Sequence, residues 1–101
     1  MKLKKNDIVQ VITGKYKGQK GRIIKVYPSK DRVIVEGINI INKHERPTQD
    51  NPQGGIIKKE TSIHSSNVLY VENDIPVKIG YKILDNGSKV RFSKKTNNIL
   101  D

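Results

Sequence analysis

The 101-residue chain predicts a mainly β fold, a small antiparallel barrel followed by a C-terminal hairpin. Three observations carry this. Apolar residues recur with β-branched character in short runs bounded by Gly, Pro, Asn and Asp, while helical periodicity is weak throughout. Hydrophobic residues make up 34% of the chain and aromatics 5%, with no Trp, enough for a modest core and too little for a deep enzyme cavity. Many short strands in about 100 residues match small all-β architectures, so one domain over residues 1–101 is expected.

The elements follow in order. Residues 7–13, DIVQVIT, predict a first strand, and residues 22–27, RIIKVY, a second. Pro28-Ser29-Lys30-Asp31 predicts a turn, with Pro28 suited to its first central position. Residues 32–38, RVIVEGI, predict a third strand, with Val33 and Val35 on one face and Arg32, Ile34 and Glu36 on the other. Residues 42–55, NKHERPTQDNPQGG, are polar and carry two prolines, which predicts a long loop or the tip of an extended hairpin. Strands over 56–63 and 65–72 follow, then a turn at Asn73 and Asp74. Residues 81–92, YKILDNGSKVRF, hold Asn86-Gly87 between alternating runs, the strongest short hairpin signal. A two-residue turn there pairs Ile83 with Val90, Tyr81 with Phe92, and Lys82 with Arg91. The tail after Phe92 shows no clear element.

Charge points to a polyanionic partner. Lys and Arg total 20, Asp and Glu 10, for a net charge of +10. Residues 1–32 hold ten basic and two acidic residues, a balance of +8; residues 33–67 balance to zero and residues 68–101 to +2. A charge this large and this uneven favours nucleic acid. A membrane partner would need a basic amphipathic helix, and the basic segment is rich in glycine and β-branched residues instead. The chain has no Cys, which excludes disulfides, thiol catalysis and zinc-thiolate sites. The apolar run near the N-terminus is too short for a signal peptide, so an intracellular, soluble protein is expected.

Residues 14–22, GKYKGQKGR, combine three glycines, four basic residues and one tyrosine. A Walker A loop needs four residues between its glycines and Lys after the second; here three intervene and Gln19 follows, and a strand rather than a helix comes next. The stretch reads instead as a loop lying over a nucleic-acid backbone. Gly14, Gly18 and Gly21 permit left-handed or close-approach conformations. Lys15, Lys17, Lys20 and Arg22 then project as phosphate contacts, and Tyr16 either stacks on a base or packs on the barrel rim. No catalytic or metal constellation is expected. The His44-Glu45 pair fails the zinc-protease pattern because position 48 is Thr and Pro47 opposes a helix. Ser65 and Ser66 beside His64 do not make a triad, for want of a positioned Asp. No cofactor or small-molecule substrate is implied.

Residues 4 to 39, from the paired lysines through the glycine-lysine loop to RVIVEGIN, resemble the KOW motif. The resemblance continues through KHERPTQDNPQGGI, KETSIHSSNV and KIGYKILDNGSKVRFSKK, which in this order resemble the ribosomal protein L twenty-four family of bacteria and organelles. That resemblance implies a non-catalytic constituent of the large ribosomal subunit with an SH3-like barrel core over about 4–40 and 56–72, an extended loop over 42–55 and a C-terminal hairpin region over 75–96. It implies binding to the 5′ region of large-subunit ribosomal RNA early in assembly, neighbouring large-subunit proteins as partners, a place near the peptide tunnel exit, and a cytoplasmic or organellar ribosome as location. Carried over by position, Lys4 and Lys5 join the motif loop as RNA contacts. Lys25, Lys30 and Arg32 extend the set along the barrel, Lys43, His44 and Arg46 along the long loop, and Lys82, Lys89, Arg91, Lys94 and Lys95 at the C-terminal hairpin. Glu45 does not suit RNA. Two rivals are a KOW-type transcription elongation module, which binds mainly proteins and usually carries a domain before the motif, and an enzyme.

Overall fold

A computed structural model describes residues 1–45 and 55–100, with side chains outside 42–45 and 55–58. Ten strands run in chain order: β1 Ile8–Val11, β2 Lys20–Tyr27, β3 Arg32–Val35, β4 Ile40–Glu45, β5 Gly55–Glu60, β6 Ile63–His64, β7 Val68–Glu72, β8 Ile75–Val77, β9 Ile79–Ile83 and β10 Lys89–Ser93. The only helical pieces among the described residues are two 3-10 turns, Pro28–Lys30 and Ser65–Asn67. Pro28 opens the first of these, where its missing N–H costs nothing. No helix among the described residues is long and apolar enough to cross a membrane.

The body is one antiparallel six-stranded sheet, ordered β6-β3-β2-β1-β7-β8. Inward residues alternate along β1, as Val9 and Val11, and along β3, as Val33 and Val35. Together with Ile23, Ile38 and Val68 they form a single buried cluster, packed at its edges by Leu3, Tyr16, Val26 and Ile63. Side chains from one sheet meet in one cluster only if the sheet curls onto itself, which is the expected barrel-like body. No ladder joins β6 to β8 among the described residues. The β2–β3 register shifts between Ile23 and Lys25. This bulge takes up one residue, so that Ile23 and Val26, three apart rather than two, both face inward.

Several expected elements are corrected. Of the two readings of residues 42–55, the extended hairpin holds and its strands reach further than expected: β4 pairs with β5 from Ile40↔Glu60 to Glu45↔Gly55, and residues 46–54 lie outside the described residues. The apolar run at 56–63 is two strands, and the run at 65–72 begins as a 3-10 turn.

The C-terminal hairpin shows the most instructive difference. Its register is Ile83↔Lys89, Lys82↔Val90, Tyr81↔Arg91 and Phe92↔Gly80, one residue away from the expected pairing. The connection has three residues. Leu84 N–H donates to Ser88 O at 2.8 Å, Gly87 N–H donates to Leu84 O at 2.8 Å, and Gly87 sits at φ +85°. This is the turn-plus-left-handed-glycine loop that follows the two-residue loop in frequency. A one-residue shift turns each side chain of the strand to the other face. Lys82 therefore does not oppose Arg91, and Phe92 covers Gly80, where an added Cβ would stand 2.7 Å from the ring.

With that register Arg91 points inward, 5% exposed. Its guanidinium donates to Asp7 Oδ2 at 2.6 Å and Oδ1 at 3.2 Å, and to the Lys2 carbonyl at 3.1 Å. The tail is ordered too. Ser93 Oγ accepts the N–H groups of Lys95 and Thr96, and Glu72 on β7 accepts from Thr96 Oγ1 at 2.9 Å and Asn98 Nδ2 at 3.3 Å.

Removing one partner of a buried, hydrogen-bonded pair leaves the other charge uncompensated. Arg91→Ala is expected to lower unfolding stability by about 3–5 kcal/mol in urea melts. The double variant Asp7→Leu/Arg91→Met is expected to recover part of that loss. Losses of Asp7→Leu and Arg91→Met that add in the double variant would show that the two groups are not coupled.

Candidate nucleic-acid interface

The connection between β1 and β2 is a folded double turn. Lys17 N–H donates to Gly14 O at 3.2 Å, Gly18 N–H to Val11 O at 2.8 Å and Gln19 N–H to Tyr16 O at 3.0 Å. Gly14 and Gly18 stand at φ +84° and +90°, a region that excludes most side chains. These bonds leave Lys15 and Lys17 on an exposed turn, with no acidic partner among the described residues. Tyr16 takes the second of its two expected roles: it is half-buried and packs against the core cluster. It thereby anchors the turn, and Lys15 Nζ lies 5.7 Å from the centre of its ring.

Gly21 serves packing. Its φ is ordinary, and an added Cβ would lie 2.7 Å from Val35 Cγ1 and 2.8 Å from the Glu36 carbonyl. It lets β2 and the end of β3 approach closely, a packing reason for the glycine beside its expected role as an RNA contact.

Lys20, Arg22 and Lys25 are exposed along β2. Two of them already meet acids. Lys20 Nζ is 3.2 Å from the Asp74 carbonyl and 3.9 Å from its carboxylate, and Arg22 Nη2 is 3.4 Å from Glu36 Oε2. Such exposed pairs are worth about 0–1 kcal/mol and yield readily to a stronger anion. Lys25 lies 5.1 Å over the Tyr27 ring. Lys4, Lys5 and Lys30 are exposed. Arg32 is turned inward to the chain: Nε donates to Ser62 Oγ at 2.8 Å and Nη2 to Ser62 O at 2.7 Å. It holds β3 against the segment leading into β6.

The expected second patch of Lys82, Lys89 and Arg91 does not exist as one surface. Arg91 is internal, and its role as an RNA contact is corrected: its fork is engaged by Asp7. Lys89 lies 4.1 Å over the Tyr81 ring, while Lys82 lies 5.2 Å over Phe92 on the other side of the hairpin. Lys94 and Lys95 are exposed in the final turn. Lys43 and His44 lie on β4 in register with Ile57 and Ile56. Arg46 lies outside the described residues.

Two concave surfaces flank the body. One, of about 340 Å³, runs between the motif turn at Gly14–Tyr16 and the base of β4, floored by Ile38, Ile40 and Ile63. The other, of about 440 Å³, lies beneath the N-terminal arm against β7 and β8, and Lys2, Lys78 and Lys94 line it. Lys2 and Lys78 are absent from the residues the sequence singled out. The available signal was Lys78, a lone cation between the apolar Val77 and Ile79.

A carboxylate that the sequence did not point to stands near His64. Asp31 Oδ2 lies 3.6 Å from His64 Nε2, and Ser66 Oγ lies 2.8 Å from Nδ1. These groups close a turn. Nδ1 accepts the Ser66 N–H at 3.2 Å, which places the ring proton on Nε2 toward Asp31, and Ser65 Oγ donates to Asp31 at 2.6 Å. No group of three His, Cys, Asp or Glu residues among the described residues is arranged to hold a metal.

Comparison with known proteins converges on one family. A family model described as the C-terminal domain of large ribosomal subunit protein uL24 matches residues 38–100, and the KOW motif model matches residues 5–36. The chain is 53% identical to large ribosomal subunit protein uL24 of Brevibacillus brevis, over 100% of this chain and 99% of that protein. It is 54% identical to uL24 of Alkaliphilus metalliredigens over the whole of both chains. It is 55% identical to that of Geobacillus stearothermophilus, over 100% of this chain and 99% of that one.

The packing role of Gly21 separates it from its neighbours. Gly21→Ala forces Val35 or the Glu36 backbone to move, and is expected to cost about 1–3 kcal/mol of stability in urea melts. RNA affinity of the folded fraction is expected to stay at the wild-type value. A selective loss of RNA affinity at unchanged stability would return Gly21 to the interface.

Proposed function

The chain belongs to the uL24 family of large-subunit ribosomal proteins, and on that premise we propose that it binds the 5′ region of large-subunit ribosomal RNA, helps nucleate assembly of the subunit and lies near the peptide tunnel exit. The family is structural and not one of enzymes. The relatives described above are bacterial, which makes the cytoplasmic ribosome its place. A match that runs through residues 38–100 to a ribosomal C-terminal domain removes the ground for the elongation-module reading, since the KOW motif covers only residues 5–36.

The observation that carries the RNA reading is the β1–β2 turn. Lys15 and Lys17 stand on backbone held by three hydrogen bonds, in the most basic third of the chain, without acidic partners among the described residues. A turn already ordered loses little conformational entropy on binding. Lysines on it neutralise phosphates and release counterions, which ties affinity to salt. They carry little base information, so the fold of the RNA supplies the specificity. Lys20, Arg22 and Lys25 continue this surface along β2. The acids beside Lys20 and Arg22 make those two weaker contributors than Lys15 and Lys17.

The test is a salt series of binding to a transcript of the 5′ region of large-subunit ribosomal RNA. With about 0.7–0.9 counterions released per phosphate contact, Lys15→Ala/Lys17→Ala is expected to flatten the log–log slope by roughly 1.4–1.8. Lys20→Ala alone is expected to change it by less than one contact. An unchanged slope in the double variant would make the turn a solvated one and remove it from the interface.

A further inference from the structure

The larger cavity is not accounted for by the motif turn. It opens between the N-terminal arm and strands β7 and β8, and reaches the start of β9. Its wall is apolar, built from Leu3, Val68, Leu69 and Val77, with Tyr70 beside them. Three cations, Lys2, Lys78 and Lys94, line it. Lys94 N–H donates to the Lys78 carbonyl at 3.0 Å, so the backbone itself fixes these two residues side by side. None of the three lysines forms an ion pair among the described residues. The Lys2 ammonium lies 5.9 Å from the centre of the Tyr81 ring. The acid in the lining, Asp31, is already engaged by Ser65 and faces His64.

Like charges gathered without counter-charge repel one another unless an anion joins them. The cavity volume of about 440 Å³ is in the range that small ligands occupy, about 300–1,000 Å³. An apolar wall with an aromatic residue, beside a cationic rim, matches a nucleotide: a flat base for the wall and phosphates for the rim. A protein partner would meet the same lysines with acidic side chains; the net charge of +10 and membership of a large-subunit ribosomal family favour RNA. We propose that this cavity receives one unstacked nucleotide of RNA, its base against the apolar wall and its flanking phosphates on Lys2, Lys78 and Lys94. The site rests on the RNA-binding reading above. It adds a second contact, reached from the side of the barrel where the N-terminal arm crosses β7 and β8, with a base-holding element that the motif turn lacks.

The experiment uses the full chain and a 5′-region large-subunit ribosomal RNA transcript, unsubstituted and with uridine, cytidine, adenosine and guanosine each replaced in turn by a photocrosslinking analogue. Salt slopes are measured for wild type, for Lys78→Ala/Lys94→Ala and for Lys15→Ala/Lys17→Ala, and photocrosslinks are mapped on the protein. Lys78 and Lys94 are exposed, so the variant is expected to fold normally. The expected result is a slope flattened by roughly 1.4–1.8 in the Lys78/Lys94 variant, with the turn residues intact, and a crosslink at Tyr70 that the variant weakens several-fold. If the turn variant flattens the slope while the Lys78/Lys94 variant matches wild type, the cavity proposal falls and the general RNA reading stands. If the slope flattens but no crosslink falls within residues 65–79, the lysines contact backbone alone and the base-holding site is overturned. If wild type shows no affinity at low salt, both readings fall together.

Discussion

The bidentate contact between Arg91 and Asp7 is the joint on which the arrangement of this chain depends. Asp7 closes the turn before β1: its carboxylate accepts the Lys4 N–H at 2.8 Å, and its own N–H donates to the Lys4 carbonyl at 3.2 Å. Arg91 lies 84 residues later in the C-terminal hairpin, and it reaches both carboxylate oxygens and the Lys2 carbonyl. One guanidinium thus joins the two ends of the chain. The Tyr81 hydroxyl, donating to the Met1 carbonyl at 3.1 Å, adds a second tie between the same two segments. A buried pair of this kind contributes little net stability over an apolar replacement. Its planar fork, however, fixes how the hairpin sits against the N-terminal arm, and the hairpin region then contributes Ile79 and Lys94 to the larger cavity.

That joint was also the hardest feature to read in advance. Alternation and turn residues located β1, β2, β3, the Asn73-Asp74 turn and the site of the last hairpin, because each depends on local chemistry. The register of that hairpin depends on whether Asn86-Gly87 closes a loop of two residues or three, and both loops accept the same dipeptide. The choice is settled by tertiary contacts: Arg91 has Asp7 to meet on one face, and Phe92 has Gly80 to cover on the other. Read locally, a lysine and an arginine in facing strands looked like an exposed cationic pair. The carboxylate that takes Arg91 inside lies near the opposite end of the chain, where no short-range pattern points to it. The extended hairpin was one of two readings of residues 42–55, and the reach of its strand into residues 42–45 was hidden for a related reason. Its residues are polar, and its pairing with β5 supplies the regularity that side-chain alternation usually signals.

The candidate site divides along the same line. The motif turn was legible because glycines at left-handed positions and a run of lysines are local signals, and both glycines at positive φ stand where the turn requires them. Gly21, three residues after Gly18, looked the same in sequence, yet its reason lies across the sheet in Val35 and Glu36. Charge alone could not rank the cations. Arg32 and Arg91 are spent inside the molecule, Lys20 and Arg22 carry acids beside them, and Lys15 and Lys17 do not. Lys2 and Lys78 gain interest only when folding brings them to one cavity with Lys94.

These differences have an electrostatic logic. Arginine, with a rigid fork and weak hydration, is the residue suited to internal bonds, and Arg32 and Arg91 both use the fork that way. Lysine is a strongly hydrated point charge on a flexible stem, suited to an exposed phosphate contact that costs little to leave solvated. Arg91, buried on Asp7, and the half-buried Arg32 follow this division while Arg22 stays exposed beside Glu36, and exposed lysines stand on the turn and around the cavity. Net charge then acts where it can attract a polyanion without destabilising the core. The exposed lysines repel one another in the free protein, a cost spread over a surface where water screens it. A folded RNA would relieve that repulsion on binding. On the proposed RNA-binding reading the same excess of lysine is a source of affinity, and the hydrogen-bonded backbone beneath Lys15, Lys17, Lys78 and Lys94 would fix where on the molecule that affinity is expressed.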